Sequence, residues 1–421
     1  MNKYHKPNPQ SSINIQDVER EIQKSSDTPK NNFQLVTEFL DENYKFRYNV
    51  ISNELEYCLK NTNSEFKTAN ENEVYCHLRY NNYRISQSDL RAILMSHFVK
   101  EYNPIAEYFE NLPEYKHESH ISKLASYIKT ENHDRFITHF KKALVRSVAC
   151  AMNPDVFNKH CIVLVGTKSS KEGQETIGQH QGKTSFIRWL SPNLLKSYFV
   201  ENIGVDKDGR IALCENFIVN MDELSHLDKY EINALKALLS IQFDKSRRPF
   251  DKKPFKRNRI ATFWATTNNS EFLTDETGTV RWIVFNVTHI NFKYSTELDV
   301  DRIWAEAFYL YKNGFPYELT KEEIEENELE NKRFHVPTIE MELIQKHFLP
   351  RDKNNGEFYQ STDIMNKLLE IYPGKFRLNV QAIGKALKYL GYERLSHKSE
   401  NNDSARWGYF IKLSNSTYSS Y

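Results

Sequence analysis

Four short, uninterrupted apolar runs constrain the fold more than any other feature: CIVLVG at 161–166, NFIVNM at 216–221, IATFWATT at 260–267 and RWIVFNV at 281–287. Apolar residues without polar alternation suit a strand buried on both faces, the situation inside a parallel sheet. The stretches KTSFIRWLSPNLLKSYF and KYEINALKALLSIQF, both with helical spacing, separate the first three runs. Strands alternating with helices predict an α/β layer around a parallel sheet.

The flanking segments read differently. Residues 1–32 are rich in Asn, Ser, Pro and Lys and predict a disordered tail, with a short helix around Val18–Ile22. Residues 33–134 predict a mainly helical N-terminal domain, in which FQLVTEFLDENY and SDLRAILMSHFVKEY have helical spacing. KFRYNVISNELEYCL and EVYCHLRY read as short strands, and Pro104 starts the helix IAEYFENL. HDRFITHFKKALVRSVACAM then carries Phe136, Phe140, Leu144 and Val148 on one helical stripe and leads into a core at 135–318. The run TKEEIEENELENKRF falls within a charged linker at 319–340 and reads as a solvated helix or linker. Residues 341–421 predict two helices, STDIMNKLLEIY and NVQAIGKALKYLG, with Asn379 as N-cap and Gly391 as C-cap. GYERLSHKSENNDSARWGYFIKL follows as a hairpin, so this domain reads as winged-helix-like.

Bulk properties exclude little but remove some classes. Hydrophobic residues at 39% and charged residues at 27% allow a sizeable core in a soluble chain. Lys and Arg number 57 against 56 acids, a net charge of +1, so only local clustering can argue for nucleic acid. Cys58, Cys76, Cys150, Cys161 and Cys214 include no CxxC pair, which argues against disulfides or zinc and for a reducing compartment. The start MNKYHKPNPQSSINIQDVER lacks an apolar signal region, and no apolar run approaches a membrane span of about 18 residues, so a cytoplasmic location is expected.

The first apolar strand, a polar Gly-containing loop and GKTS opening a helix form the arrangement that phosphates need. Free backbone N–H groups at a helix N-terminus point at the anion, and the helix dipole adds to the attraction. Lys183 would reach the β- and γ-phosphates, Thr184 would offer its hydroxyl to Mg²⁺, and Gly182 would let the backbone approach closely. The spacing is irregular. Gly178 is followed by Gln179, His180 and Gln181 before Gly182, where four intervening residues are usual, and the loop 167–181 is expanded. NFIVNMDEL places Asp222 and Glu223 at a strand's carboxyl end, where ligands sit in open α/β sheets. Asp222 would hold Mg²⁺, and Glu223 would polarise an attacking water. Asn268, after the third run, would orient that water. Arg281 is placed either as an arginine finger or as a surface partner of Asp275 or Glu276.

DKSRRPFDKKPFKRNRI carries eight basic residues between Lys245 and Arg259, interleaved with Phe250 and Phe255. Such a loop suits a single-stranded nucleic-acid backbone, with Arg248, Lys252, Lys253, Lys256 and Arg257 as candidate contacts; the alternative is a solvated basic loop. In the C-terminal segment, Gln381, Lys385, Lys388 and Arg394 would face DNA or a protein partner.

The ordered set GKTSFIRWL, NFIVNMDEL, KYEINALKALLS, RRPFDKK, RIATFWATTN and FLTDETGTVRW resembles the virulence-associated protein E (VirE) family over roughly 135–290. These are P-loop ATPases of the AAA+ class, related to superfamily 3 helicases and found on bacterial phages, plasmids and genomic islands. The resemblance implies ATP and Mg²⁺ as cofactors. Gly182, Lys183 and Thr184 would bind ATP, with Ser185, Gly178 and Gln181 beside them. Asp222 and Glu223 would be the magnesium and hydrolysis pair, Asn268 the sensor, and Arg281 a contact from a neighbouring subunit. Arg248, Pro249 and Lys252 match the family's basic hairpin. Many relatives carry a primase domain upstream; residues 1–150 show no such carboxylate set, so a separate primase would be the partner. The expected function is a DNA-stimulated ATPase, a helicase or replication-initiation motor of a mobile element working as a hexameric ring. The alternative is an ATP-switched regulator in element control or anti-phage defence, without translocation; a small-molecule P-loop transferase and an inactive scaffold are further readings.

Overall fold

The computed structural model describes residues 30–62, 64–166, 182–224, 229–245, 256–273, 279–398 and 404–414. The predicted tail helix, the expanded loop, Gly178, Gln181, Arg248, Pro249, Phe250, Lys252, Lys253, Phe255, Asp275 and Glu276 lie outside the described residues. The chain divides into two compact units, Met1–Pro104 and Ile105–Tyr421.

In the first unit, Asn31 accepts from the N–H of Gln34 and receives that side chain in return, a reciprocal cap that starts α1, Asn32–Asn43. Strands β1 (Tyr44–Asn49), β2 (Glu54–Leu59), β3 (Lys67–Thr68) and β4 (Lys100–Tyr102) form a sheet in the order β3-β2-β1-β4. Helices α2 (Glu71–Tyr80) and α3 (Gln87–Leu94) complete the core with Val74, Leu78, Leu90 and Ile93. The expected short strands in KFRYNVISNELEYCL are β1 and β2, and helices hold most of the remaining ordered residues of the segment. EVYCHLRY, expected as a strand, lies in α2. Val74 and Leu78, four residues apart, are buried on one face, whereas Cys76 between them is exposed.

The second unit is built on a six-stranded sheet. Its strands are β5 (Ile128–Thr130), β6 (Cys161–Gly166), β7 (Phe199–Glu201), β8 (Ile218–Met221), β11 (Thr262–Thr267) and β12 (Trp282–Ile290). The spatial order is β5-β12-β6-β11-β8-β7; all pairs are parallel except β5 on β12. All four apolar runs supply strands of this sheet, and β6, β8 and β11 are buried along their whole length. Because α4 (His120–Ser126) and β5 join this unit, its border falls near 104/105 and not at 134/135. Helix α5, His133–Met152, buries Phe136, Phe140, Leu144 and Val148 as its stripe predicts.

Parallel pairing brings the carboxyl ends of β6, β8 and β11 to one edge. After them come, respectively, α6 (Lys183–Leu190), the turn at Asp222–Glu223, and Asn268. Helices α7 (Lys207–Glu215) and α8 (Lys229–Leu239) lie between β7 and β11 in sequence; a two-strand ladder, β9 (Phe243–Asp244) with β10 (Arg257–Asn258), follows α8. Helix α9 (Val300–Lys312) packs against α5, and its buried Trp304 donates to the carbonyl of Leu190, the last residue of α6, at 2.9 Å.

The charged stretch at 320–331 is not a free linker. Thr320 caps α10 (Lys321–Asn331) with Glu323 in a reciprocal box. Asn327 and Asn331 are fully buried, and both side-chain amides donate to the carbonyl of Trp282, at 2.7 and 2.8 Å. Arg135 donates to Asn327 Oδ1 at 2.7 Å, and Lys142 pairs with Glu323 at 2.7 Å, so α10 is fastened to α5 and β12 by polar groups. Two further hydrogen bonds, Leu273 N–H to Phe334 O and Val336 N–H to Leu273 O, tie the segment after Asn268 to the segment after α10.

A separate core holds the C-terminal elements: α11 (Ile339–His347), β13 (Phe348–Pro350), β14 (Glu357–Tyr359), α12 (Ser361–Ile371), α13 (Val380–Tyr389), β15 (Leu395–His397) and β16 (Arg406–Leu413). Strands β13, β14 and β15 all pair with β16 antiparallel. Asn379 caps α13 through the N–H of Gln381, and Gly391 takes φ +81° beyond its end. Tyr389 reaches back to donate to the carbonyl of Lys332 at 3.1 Å. The chain is a mixed α/β protein with several sheets. No helix among the described residues is long and apolar enough to cross a membrane.

Candidate functional site

Gly182 precedes α6 in the left-handed region, φ +72°, a conformation that favours glycine. A Cβ there would also lie 2.2 Å from Cε1 of the exposed Phe292 ring, which would have to shift. The turn aims the first N–H groups of α6 into a cavity of about 430 Å³ lined by Gly182, Lys183, Thr184, Ser185, Arg188, Asp222, Glu223, Thr266, Asn268 and Phe292. Residues distant in sequence thus converge at the carboxyl edge of the sheet.

Lys183 is only 6% exposed, and its ammonium donates to Asn268 Oδ1 at 2.7 Å. Burial pulls its pKa below the ordinary lysine value, while the charges of Glu223 and Asp222 act in the opposite sense. The Thr184 hydroxyl donates to Asp222 Oδ1 at 2.7 Å, and Thr266 donates to the same oxygen. The Asp222 N–H donates to Asn202 Oδ1 at 2.7 Å, which fixes the turn after β8.

Glu223 has φ +57°, unusual for a residue with a side chain. That conformation costs on the order of 1–3 kcal/mol and turns the carboxylate towards the end of β11. There Glu223 Oε2 accepts from Asn268 Nδ2 at 3.0 Å, and Oε1 accepts from the Asn268 N–H at 3.3 Å. Asn268 therefore bridges the buried ammonium and the carboxylate through the two ends of one amide.

Of the residues singled out from sequence, Gly182, Lys183, Thr184, Ser185, Asp222, Glu223 and Asn268 meet in this cavity. Arg281 does not line it; its Nε donates to Ser240 Oγ at 3.2 Å. Arg257 is 7% exposed and pairs with Asp244 at 3.6 Å across the β9–β10 ladder, so its guanidinium is placed inward and not on a nucleic-acid face. Lys256 is exposed, with its ammonium 4.9 Å from the centre of the Phe243 ring. Thr266, Asn202, Arg188 and Phe292 were not foreseen. Thr266 lies within the run IATFWATT and Asn202 sits in a turn, so neither carries a pattern; the exposed Phe292 next to Lys293 had no motif to mark it. Arg188 forms a bidentate pair with Glu201, at 2.8 and 2.6 Å, on the cavity wall.

Thr184 and Asp222 are hard oxygen donors of the type that Mg²⁺ takes. Among the described residues no group of three or more His, Cys, Asp or Glu side chains could hold a metal by itself. One carboxylate and one hydroxyl suit Mg²⁺, which keeps several waters and takes further oxygens from phosphates.

The chain is similar in fold to a solved structure described as the apo structure of NrS-1 C terminal region (305-718), with TM-score 0.51 and 10% identity over 91% of this chain and 100% of that one. A second, the A form apo structure of the same region, aligns with TM-score 0.48 and 11% identity over 91% and 100% of the two chains. A comparison with curated proteins found no match. The model of the virulence-associated protein E-like domain matches residues 109–336, which contain every part of the cavity. That match spans more than half of the chain, and the chain belongs to the virulence-associated protein E-like family.

Proposed function

We propose that the cavity is the Mg²⁺–ATP site of a P-loop ATPase of the AAA+ class. The observation that carries this reading is the single hydrogen-bonded chain from Lys183 through Asn268 to Glu223, beside the Thr184–Asp222 pair. Lys183 would neutralise the β- and γ-phosphate oxygens, which compete with Asn268 for its ammonium. The N–H groups opening α6 would hold the phosphates. Thr184 and Asp222 would hold Mg²⁺, which when bound neutralises charge on the transferring phosphoryl group. Glu223, its carboxylate fixed by Asn268, would accept a proton from the attacking water. The sheet order β12-β6-β11-β8-β7, with the phosphate-binding strand between β12 and β11, supports the AAA+ reading. Arg281 lies outside its own cavity, and we assign it to the site of a neighbouring subunit in a ring.

We read the elements from α11 to β16 as a winged helix-turn-helix, with α13 as the recognition helix presenting exposed Gln381, Lys385 and Lys388. Together with the basic residues of the sequence between 245 and 256, this supports a DNA-stimulated motor, a helicase or replication-initiation ATPase of a bacterial mobile element. The ties from Leu273 to Phe334 and Val336, and from Tyr389 to Lys332, give the nucleotide site a physical connection to α13.

The test is ATP turnover with and without single-stranded DNA, followed by strand separation on a forked duplex. DNA-raised turnover with unwinding supports the motor. Turnover without strand separation favours the second reading, an ATP-switched regulator, for which the same ties from the nucleotide site to α13 are the observation.

A further inference from the structure

We propose that Phe292 is the platform on which the base of the bound nucleotide stacks. This rests on the nucleotide reading above and adds which residue holds the base. Among the described residues lining the cavity, Phe292 is the one hydrophobic side chain; every other lining residue except Gly182 is polar or charged. A phosphate chain and a metal need no aromatic ring, whereas a purine offers a π-face that a phenyl ring can cover.

Phe292 is 53% exposed, an exposure that burial energetics disfavours for so large an apolar group. Its backbone is nevertheless held on both sides. The Asn291 N–H donates to Tyr127 O at 2.8 Å, and the Lys293 N–H donates to Asn291 Oδ1 at 3.1 Å. The Phe292 carbonyl accepts from the Ser295 hydroxyl at 2.9 Å and from the Ser295 N–H at 3.2 Å. A rigid turn that presents an exposed ring is the form of a preorganised contact, because the ordering cost is met before the ligand arrives.

Position supports the same assignment. The edge of the ring meets Gly182, at the start of the helix whose N–H groups face the phosphates. A nucleotide anchored at Lys183 has its nucleoside end left to emerge along this wall. The neighbouring cavity lined by Arg188, Trp189, Asn193, Lys196, Phe199 and Val300 is also partly aromatic, but it does not include Gly182, Lys183 or either catalytic carboxylate.

The experiment compares equilibrium binding of Mg²⁺–ATP and of Mg²⁺–tripolyphosphate, which has no base, to the full chain, Phe292→Ala and Phe292→Trp. Stacking on one aromatic ring corresponds to roughly a tenfold change in affinity or more. Phe292→Ala is expected to lose about tenfold for ATP and to keep tripolyphosphate affinity within about twofold, which also shows that the site is folded. Phe292→Trp is expected to retain ATP binding, with added tryptophan emission that ATP quenches and tripolyphosphate does not. Equal losses for both ligands, no loss for either, or added emission in Phe292→Trp that ATP binding leaves unquenched would overturn the proposal. A wild-type chain that binds tripolyphosphate and ATP equally well overturns it while leaving the phosphate site standing; one that binds neither removes the nucleotide reading itself.

Discussion

Asn268→Ala separates what the site needs for folding from what it needs for turnover. The substitution removes the acceptor of the Lys183 ammonium at 2.7 Å and the side-chain donor to Glu223 at 3.0 Å. Hydrogen bonds to charged groups contribute about 1.5–3 kcal/mol each, so a dry site would lose up to about 6 kcal/mol. The cavity admits water, and Glu223 keeps the Asn268 N–H at 3.3 Å, so the loss should be nearer 1–2 kcal/mol. Turnover depends on Glu223 being held in one orientation and should fall about 100-fold or more. Asn268→Asp distinguishes the two roles. Its carboxylate still accepts from Lys183 but cannot donate to Glu223, which it repels, so turnover should stay low. Thermal unfolding without nucleotide and steady-state hydrolysis at saturating Mg²⁺–ATP measure the two quantities. Turnover in Asn268→Ala within threefold of wild type, or full recovery in Asn268→Asp, would refute the reasoning.

Three further outcomes follow from named contacts. Gly182→Ala must adopt a left-handed conformation, about 1–2 kcal/mol unfavourable, and displace Phe292, so ATP affinity should fall at least tenfold by calorimetry; unchanged affinity would show that the turn does not face the phosphates. Burial, aided by Arg135, lowers the pKa of His139 to about 4, and burial, aided by Arg146, lowers that of His160 to about 3. Both stay neutral in the native chain while the unfolded chain takes up protons below about 6.5, so stability is full above that pH and declines as pH falls towards 4, by up to about 1.4 kcal/mol per pH unit for each histidine. Chemical denaturation at pH 7.5, 6 and 5 checks the slope, which should flatten in His139→Asn if the variant folds. Arg281→Ala should bind ATP as wild type does yet hydrolyse it at least 100-fold more slowly, and mixing it with Lys183→Ala should restore part of the rate; no recovery in the mixture would count against a contact made between subunits.

The sheet was legible because buried parallel strands write themselves as unbroken apolar runs; Asp222 and Glu223 were legible because they stand at the end of such a run, and Lys183 and Thr184 because GKTS opens a helix after one. The bridge through Asn268 was only partly so: its position after β11 was visible, but its contact with Lys183 depends on the neighbouring order of β6, β11 and β8, which no local pattern carries. EVYCHLRY was misread because Val74, Cys76 and Leu78 also fit a two-residue period; Asn70 as N-cap, with Glu71 and Glu73 in the first turn, was the signal for a helix. A helix was one of the two readings of residues 320–331, but its docking was missed because hydrophobic periodicity detects apolar burial and this helix docks through Asn327 and Asn331. The pairing of Arg257 with Asp244 escaped notice for a similar reason: a run of basic residues shows charge but not which members turn inward.

The central claim is tested most directly by measuring ATP binding and ATP turnover side by side in the wild type, Lys183→Ala and Glu223→Gln. The account predicts that Lys183→Ala loses both, whereas Glu223→Gln binds ATP at least as tightly as wild type and turns it over at least 100-fold more slowly. A wild-type chain that neither binds nor hydrolyses ATP in the presence of Mg²⁺, or a Glu223→Gln variant with normal turnover, would contradict it.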